Sequence, residues 1–311
     1  MTKLIYSVVF SFVFFSFCKG QTNIDVSRQN NYIDSIQNAK EIESLIVKIN
    51  PRFKEFEVNE SMTFDDRYSG ENYHQIADSL NIQPWTKADF DHNGLTDILV
   101  IGKFYGNYVI CILDNGGKYE IYPITKGLFK ANSFPIVEDN KIKYYCENES
   151  DRIYLDKPIK LEESTLIYQF GDFIEENTTP AKHKIEKIEY ETTGCYGICP
   201  IFSLTINADQ SAEWEAKRYN KIKNEEVKGK FHSNITEDNF NELIDLLNYI
   251  DFEKLNDNYS VNWTDDQSST LKITYDNGKV KSIQDYGLVG TFGLSRVYEI
   301  LFDLRENQKW E

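Results

Sequence analysis

The stretch Asp89-Phe-Asp-His-Asn-Gly-Leu-Thr-Asp97 leads directly into the apolar run Ile98-Leu-Val-Ile-Gly102. The run is rich in β-branched residues and predicts a buried strand. Position six of the loop before it is a glycine, where a loop around a cation turns sharply. Hard cations prefer oxygen ligands, so the spacing predicts a calcium site. The predicted ligands are the side chains at positions one, three, five and nine, with a backbone carbonyl at position seven: Asp89, Asp91, Asn93, Asp97 and Leu95.

The loop differs from an EF-hand, which has a bidentate Glu at position twelve and continues into a helix. Position twelve here is Val100, and a strand is expected instead. The residues Asp89–Val100 resemble the calcium loops of FG-GAP and VCBS-type repeats, which occur in the blades of integrin-like β-propellers. A propeller needs several blades and the pattern occurs once, so the resemblance implies a calcium loop without a propeller. The alternative is an Asx-rich turn that binds no metal. His92, at position four, is expected to point outward.

The amino terminus has the layout of a secretory signal. Met1-Thr-Lys3 is basic, and Leu4–Phe17 is an apolar run too short to span a bilayer comfortably. Residues 1–20 are therefore predicted to be a signal peptide that directs the chain to the periplasm, the cell envelope or the exterior. Cys18 offers an alternative, a lipid anchor, although Phe17 stands where lipoprotein signals carry a small residue. No later stretch is apolar enough to predict a transmembrane segment.

Composition limits the partners and the number of domains. The chain has 50 acidic and 34 basic residues and a formal charge of -16, so no nucleic-acid partner is expected. Its 311 residues are enough for two domains. We predict an N-terminal domain over residues 22–174 that contains the calcium loop, a linker over 175–182, and a C-terminal domain over 183–311. Each is expected to be α+β, with one antiparallel sheet and one or two packed helices.

Apolar periodicity and turn signals predict the main elements. In the N-terminal half they predict helices over Asn30–Asn50 and Tyr73–Leu80, packed on an antiparallel meander. In the C-terminal half they predict a helix from Thr236 to about Tyr249 and a final helix over Leu294–Arg305. Asp276-Asn-Gly278 between two alternating runs predicts a hairpin, because Asn-Gly fits the tight turn that such hairpins use.

A second motif is Cys195-Tyr-Gly-Ile-Cys-Pro-Ile-Phe202. In an oxidising compartment, Cys195 and Cys199 are expected to form a local structural disulfide. Gly197 is expected to bend the small loop by taking a positive φ. The motif and its flanking elements resemble an uncharacterised domain of secreted bacterial proteins with the signature Cys-x-Gly-x-Cys-Pro-x-[Phe/Tyr], over roughly residues 183–308. That family has no established activity, so the resemblance implies a domain boundary and no mechanism.

The cysteines also admit other roles. Cys195 and Cys199 could serve thiol redox or copper chemistry with His183 or His232. Cys-x-x-x-Cys-Pro in thioredoxin-like copper chaperones precedes a helix, whereas the residues that follow here predict a strand. Cys111 and Cys146 lie in strand patterns, and the sequence leaves open whether they pair or stay buried as thiols.

No established catalytic motif is present. Gly287-x-x-Gly-x-x-Gly293 precedes the last helix, and its apolar contents predict a packed loop more than an anion cradle. Three function classes remain. The first is a non-enzymatic binding or structural module stabilised by calcium and a disulfide. The second is an extracytoplasmic hydrolase whose carboxylates meet only in three dimensions, and the third is a thiol redox or copper protein. The missing motifs favour the first class.

Overall fold

The computed structural model describes residues 31–59, 70–125, 133–147 and 161–311, so the predicted signal peptide and Cys18 lie outside the described residues. Strands dominate, and they form three sheets that are mostly antiparallel. The helices are α1 (Tyr32–Ser35), α2 (Ala39–Ile49), α3 (Gly70–Ser79), α4 (Glu237–Tyr249) and α5 (Phe292–Asn307), with short 3-10 helices at Pro51–Phe53 and Phe252–Lys254. The strands of the first two sheets are β1 (Glu57–Val58), β2 (Trp85–Ala88), β3 (Asp97–Lys103), β4 (Asn107–Asp114), β5 (Tyr119–Pro123), β6 (Ser133–Glu138), β7 (Lys141–Glu147), β8 (Leu161–Gln169) and β9 (Asp172–Glu175). Those of the third are β10 (Ile185–Thr192), β11 (Ile201–Asn207), β12 (Ser211–Ile222), β13 (Glu225–Asn234), β14 (Asn258–Ser260), β15 (Ser268–Tyr275) and β16 (Lys279–Tyr286).

The first sheet follows the order β1-β3-β4-β5, with β2 also pairing with β3. Alternate residues of a strand point to opposite faces. Ile98 and Val100 accordingly join the core under α1 and α2, while Leu99 and Ile101 join a second core on the other face. Both faces of β3 are covered, which explains why its sequence is a continuous apolar run.

The strands β6 to β9 form a second sheet of their own, in the order β6-β7-β8-β9. Phe134, Ile142, Leu166 and Phe173 from this sheet share one core with the far face of the first sheet. The predicted single meander of the N-terminal half is therefore wrong, because it divides after β5 into two sheets packed face to face. The fold is β-rich, with three sheets and few helices, and the N-terminal half has two sheets where one was predicted.

The third sheet has seven strands in the order β13-β12-β11-β10-β15-β16-β14, and β14 runs parallel to β16. Apolar side chains alternate along its central strands and pack against α4 and α5 around the fully buried Trp214 and Tyr190. The predicted hairpin at Asp276-Asn-Gly278 joins β15 to β16, and all three turn residues have positive φ. The short strands β2 and β14 were not predicted, because three or four residues carry too little periodicity.

The predicted helix over Asn30–Asn50 is wrong in its continuity, since the chain forms α1 and α2 with a break between them. Ile36 is extended, with ψ of 127°, and Asn38 accepts a hydrogen bond from the backbone nitrogen of Glu41 to begin α2. An Asn at this position favours a cap because its side chain competes with the helical backbone.

The segment predicted as a linker, residues 175–182, begins inside β9 and is bonded to the C-terminal half. The Glu175 carboxylate accepts hydrogen bonds from the backbone nitrogens of Phe292 and Gly293, at 2.6 and 2.8 Å. Asn177 donates to the backbone oxygen of Tyr249 at 2.6 Å. Ile174 of β9 belongs to the core of the third sheet. The two halves are therefore in extensive contact.

Candidate functional site

The loop over residues 89–97 connects β2 to β3 and gathers three carboxylates. Asp89, Asp91 and Asp97 each offer one oxygen, and these oxygens lie within 4.8 Å of one another. Asp97 begins β3 and is fully buried, while the other two are half-buried. The predicted ligand spacing thus brings three acidic side chains to one point.

Backbone hydrogen bonds hold these carboxylates in place. Asp97 accepts from the nitrogens of Phe90 and Asp114, at 2.8 and 2.9 Å. Asp89 accepts from the nitrogen of Gly94 at 3.1 Å. Gly94 has a φ of +85°, which a glycine adopts at little cost, so the sharp turn lies where the spacing predicts it.

Asn93 stabilises the loop through hydrogen bonds of its side chain. Its amide nitrogen donates to Asp91 at 2.9 Å and to the backbone oxygen of Asp114 at 2.8 Å, while its amide oxygen accepts from the nitrogen of Leu95. The amide nitrogen therefore faces the carboxylates. For Asn93 to bind a cation, its carboxamide must flip so that the oxygen takes the place of the nitrogen. His92 is exposed with a φ of +58°, in keeping with its predicted outward position.

The electrostatics of the loop disfavour three bare charges. Burial raises the pKa of Asp97 to about 7, and the neighbouring negative charges of Asp91 and Asp89 add to the rise. Burial, with a further contribution from Asp89, also raises the pKa of Asp91. One carboxylate oxygen of Asp89 is buried without a hydrogen-bond partner. Within the described ranges no Lys or Arg forms an ion pair with these aspartates, so the converging charge lacks a protein counter-ion.

The loop is also hydrogen-bonded to α1 and to the turn between β6 and β7. Thr96 donates to the Asp34 carboxylate of α1 at 2.7 Å, and Asn31 donates to the backbone oxygen of Thr96 at the same distance. The backbone nitrogen of Asp89 donates to Asn140, in the β6–β7 turn of the second sheet, at 3.3 Å. Sequence reasoning missed these supports because they lie far along the chain from the loop and form no local motif.

Cys195 and Cys199 form a disulfide, with their Cα atoms 5.7 Å apart. It closes a loop between β10 and β11. Gln267 binds the two ends of this loop, since its amide donates to the backbone oxygens of Thr193 and Pro200, at 2.9 and 2.8 Å. The tip projects from the surface, where Tyr196 and Ile198 are 90% and 74% exposed.

The predicted role of Gly197 is wrong, because its φ does not lie in the positive range. The nitrogen of Gly197 donates to the backbone oxygen of Cys195 at 2.8 Å, so the tight turn is centred on Tyr196. A Cβ added to Gly197 would make only an ordinary contact with the Cys195 sulfur, at 3.7 Å.

The topology separates both candidate histidines from the cysteine loop. His183 precedes β10 and Cys195 follows it, and β10 spans about 25 Å at roughly 3.3 Å per residue. His183 instead contacts the carboxylates of Asp276 and Glu253, at 2.7 and 3.1 Å. His232 on β13 is separated from β11 by β12. Neither histidine can share a metal ion with the cysteines in this arrangement.

Two other sequence features also take structural roles. Cys111 is fully buried in the first sheet, and neither it nor Cys146 is disulfide-bonded. In the glycine-rich loop before α5, Asp285 accepts from the backbone nitrogens of Val289 and Gly290, while Glu175 takes those at the helix start. Protein carboxylates therefore occupy the groups that an anion would use.

Comparison with known proteins identifies one region of the chain. A DUF6438 domain, a domain of unknown function, is found at residues 186–305. It lies inside the range predicted for the C-terminal domain and contains the cysteine loop, α4 and most of α5. The match does not include residues 89–100, so their resemblance to FG-GAP and VCBS-type loops stays a prediction. No curated protein and no solved structure matches the chain.

Among the described residues, no helix is both long and apolar enough to cross a membrane.

The disulfide gives a testable expectation. The Cys195→Ser, Cys199→Ser double variant should fold but unfold at a lower temperature, with a loss of about 2 kcal/mol because the closed loop is short. Differential scanning calorimetry measures the loss, and reduced wild type should lose a similar amount. Non-reducing digestion with mass spectrometry supplies the direct check, and two free thiols in the native protein would contradict the structural role.

Proposed function

We propose that this protein is a binding or structural module that works outside the cytoplasm, is stabilised by calcium and a disulfide, and catalyses no reaction. The observation that carries the calcium proposal is the convergence of three carboxylates without a protein counter-ion, one of them with a buried oxygen that has no hydrogen-bond partner. A cation would supply the missing charge and occupy that oxygen.

The chemistry of the donors favours calcium. All candidate ligands are oxygens, from Asp89, Asp91, Asp97, the Asn93 carboxamide and the Leu95 carbonyl, and such a set suits a hard cation. Bound calcium would neutralise the loop and strengthen its connections to α1 and to the β6–β7 turn. The ion's role in this proposal is structural.

Titration calorimetry tests the proposal. The intact chain should bind one calcium ion with a Kd on the order of 10⁻⁴ to 10⁻³ M, the range of extracellular modules. Asp91→Ala should abolish the heat of binding. His92→Asn is a matched control in the same loop, because His92 is exposed and Asn tolerates its positive φ, and this variant should bind as the wild type does. Absence of calcium heat, or equal heats in wild type and Asp91→Ala, would refute the calcium site.

The proposed location rests on the amino-terminal pattern and on the disulfide. A basic start before an apolar run is typical of a signal peptide, and disulfides persist mainly in oxidising compartments. Amino-terminal sequencing of protein isolated from its cells should begin near residues 19–22. A lipid on Cys18 would identify the anchored alternative, and an intact Met1 would contradict export.

The two rival classes receive less support. A hydrolase needs two cooperating carboxylates in a cleft away from the calcium loop, at least one of them in a desolvated setting that adjusts its pKa. The carboxylates of Glu299 and Asp303 line one cavity, but both are exposed. Thiol redox or copper chemistry needs accessible thiolates, whereas Cys195 and Cys199 form a disulfide far from His183 and His232.

A further inference from the structure

A cavity of about 490 Å³ lies in the C-terminal half, along one side of α5. Its size falls within the range of small-ligand sites. One wall is a stripe of α5 residues three and four apart, and the other is formed by Gln267 and Leu288. The α5 stripe consists of Ser295, Tyr298, Glu299, Phe302 and Asp303. All of these residues lie within the DUF6438 match and none belongs to the calcium loop, so the cavity is independent of the calcium proposal.

The wall opposite α5 is held rigidly. Leu288 has a φ of +53°, a conformation that a bulky side chain rarely adopts. The buried Asp285 carboxylate imposes it by accepting from the next two backbone nitrogens, at 2.9 and 2.8 Å. Strained residues persist only where their surroundings hold them, and they concentrate at ligand sites. Gln267 is fixed as well, because its amide binds both ends of the disulfide loop.

The cavity combines an acidic rim with an aromatic interior. Glu299 and Asp303 are exposed at the rim, while Tyr298 is 3% exposed and Phe302 is half-buried. The Tyr298 ring stacks on Tyr190, and its buried hydroxyl lies beside Asp285 and Ser269. Aromatic faces attract cations, and a carboxylate pair adds charge attraction.

The neighbouring arginines neutralise only part of the rim charge. The Arg296 guanidinium forms ion pairs with both Glu299 and Glu242, at 3.2 and 3.3 Å, so its single positive charge is shared by two carboxylates. Arg305 is 7% exposed and stacks on the Phe302 and Phe202 rings. It makes no ion pair with a rim carboxylate, and its charge attracts Asp303 only at longer range. Asp303 has no ion-pair partner among the residues that the structure describes.

We propose that this cavity binds an alkylammonium group, a positively charged amine carried on a short apolar chain. The amine would contact the carboxylates of Glu299 and Asp303, and the apolar chain would lie against Phe302, Tyr298 and Leu288. Such a group occurs in free diamines and in the lysine side chains of peptides. The shared chemistry defines the site, and the test separates the two sources.

Isothermal titration of the intact chain with 1,5-diaminopentane tests the first source, and titration with N-acetyl-lysine methylamide tests the second. At low salt at least one probe should bind with a Kd on the order of 1 mM, and the tighter probe indicates the source. Pentan-1-ol, which has a similar chain without charge, should bind more weakly. Each titration is run with calcium and with a chelator, so failure of the calcium site and failure of the cavity are distinguishable.

The Glu299→Gln, Asp303→Asn double variant should bind the better probe roughly five- to tenfold more weakly, since both changes remove exposed charges. The Glu225→Gln, Glu226→Gln variant makes the same change of charge on exposed residues of β13, at the far edge of the sheet, and should bind normally. The proposal would be overturned if neither amine binds, or if pentan-1-ol binds as tightly as the better amine. It would also be overturned if the Glu299→Gln, Asp303→Asn variant binds as the wild type does, or if both variants weaken binding equally.

Discussion

Calcium at about 10 mM should raise the free energy of unfolding at pH 8 by roughly 1.5–3 kcal/mol over the calcium-free protein, given a Kd of about 10⁻⁴ to 10⁻³ M. An ion that binds only the folded state stabilises it by mass action. Urea unfolding with added calcium and with a chelator measures the difference. The same concentration of magnesium should do much less, because magnesium keeps its own water shell and demands stricter geometry.

The size of the calcium effect should depend on pH through Asp97. Burial raises the pKa of its folded-state carboxyl to about 7, from a usual value of 3.8. Between these values the folded state holds a proton that the unfolded state has lost, so calcium-free stability falls as pH rises from about 4 to about 7. At about 1.4 kcal/mol per pKa unit, the fall from this group is at most about 4 kcal/mol, and it ends above pH 7.

Calcium should offset much of this fall, because the ion binds the deprotonated carboxylate and lowers its pKa. The stabilisation by calcium should therefore grow from pH 5 to pH 8. Asp91→Ala should abolish the calcium response, while His92→Asn should keep it. A calcium increment that is absent at pH 8, or that is equal at pH 5 and pH 8, would contradict the predicted coordination by Asp97.

Glu175→Gln should destabilise the intact chain by about 1–3 kcal/mol, because the Glu175 carboxylate caps α5 from the N-terminal half. The first backbone nitrogens of a helix have no partner within the helix, and the helix dipole favours negative charge there. Glutamine keeps the shape but removes the charge and one of the two acceptors. Chemical unfolding followed by tryptophan fluorescence measures the loss.

Glu176→Gln is the matched control, since Glu176 is the next residue and carries the same charge. Its carboxylate forms a partly exposed ion pair with Lys141 at 2.6 Å, so the variant should lose only about 0–1 kcal/mol. The wild type should unfold in one transition, because Ile174 and Glu175 bind the two halves together. Equal losses in the two variants, or two separate transitions in the wild type, would contradict this role.

The sequence by itself determined the features that depend on near neighbours. The spacing from Asp89 to Asp97 places three carboxylates together because the loop folds on its own glycine and backbone. Asp276-Asn-Gly278 forms its turn because these residues tolerate positive φ. The apolar periodicity of Leu294–Arg305 is also a local pattern, and it predicts α5. The helix extends two residues beyond the predicted range at each end.

The contacts between distant parts of the chain were determined only by the tertiary structure. The division of the N-terminal strands after β5 depends on contacts between residues far apart in sequence. The same holds for the cap by Glu175 on α5 and for the hydrogen bond from Asp89 to Asn140. The cavity likewise needs Gln267 and Leu288 opposite α5. Periodicity reports which face of an element is apolar, but not which other element covers it. That choice depends on how complete surfaces fit together, which no single stretch encodes.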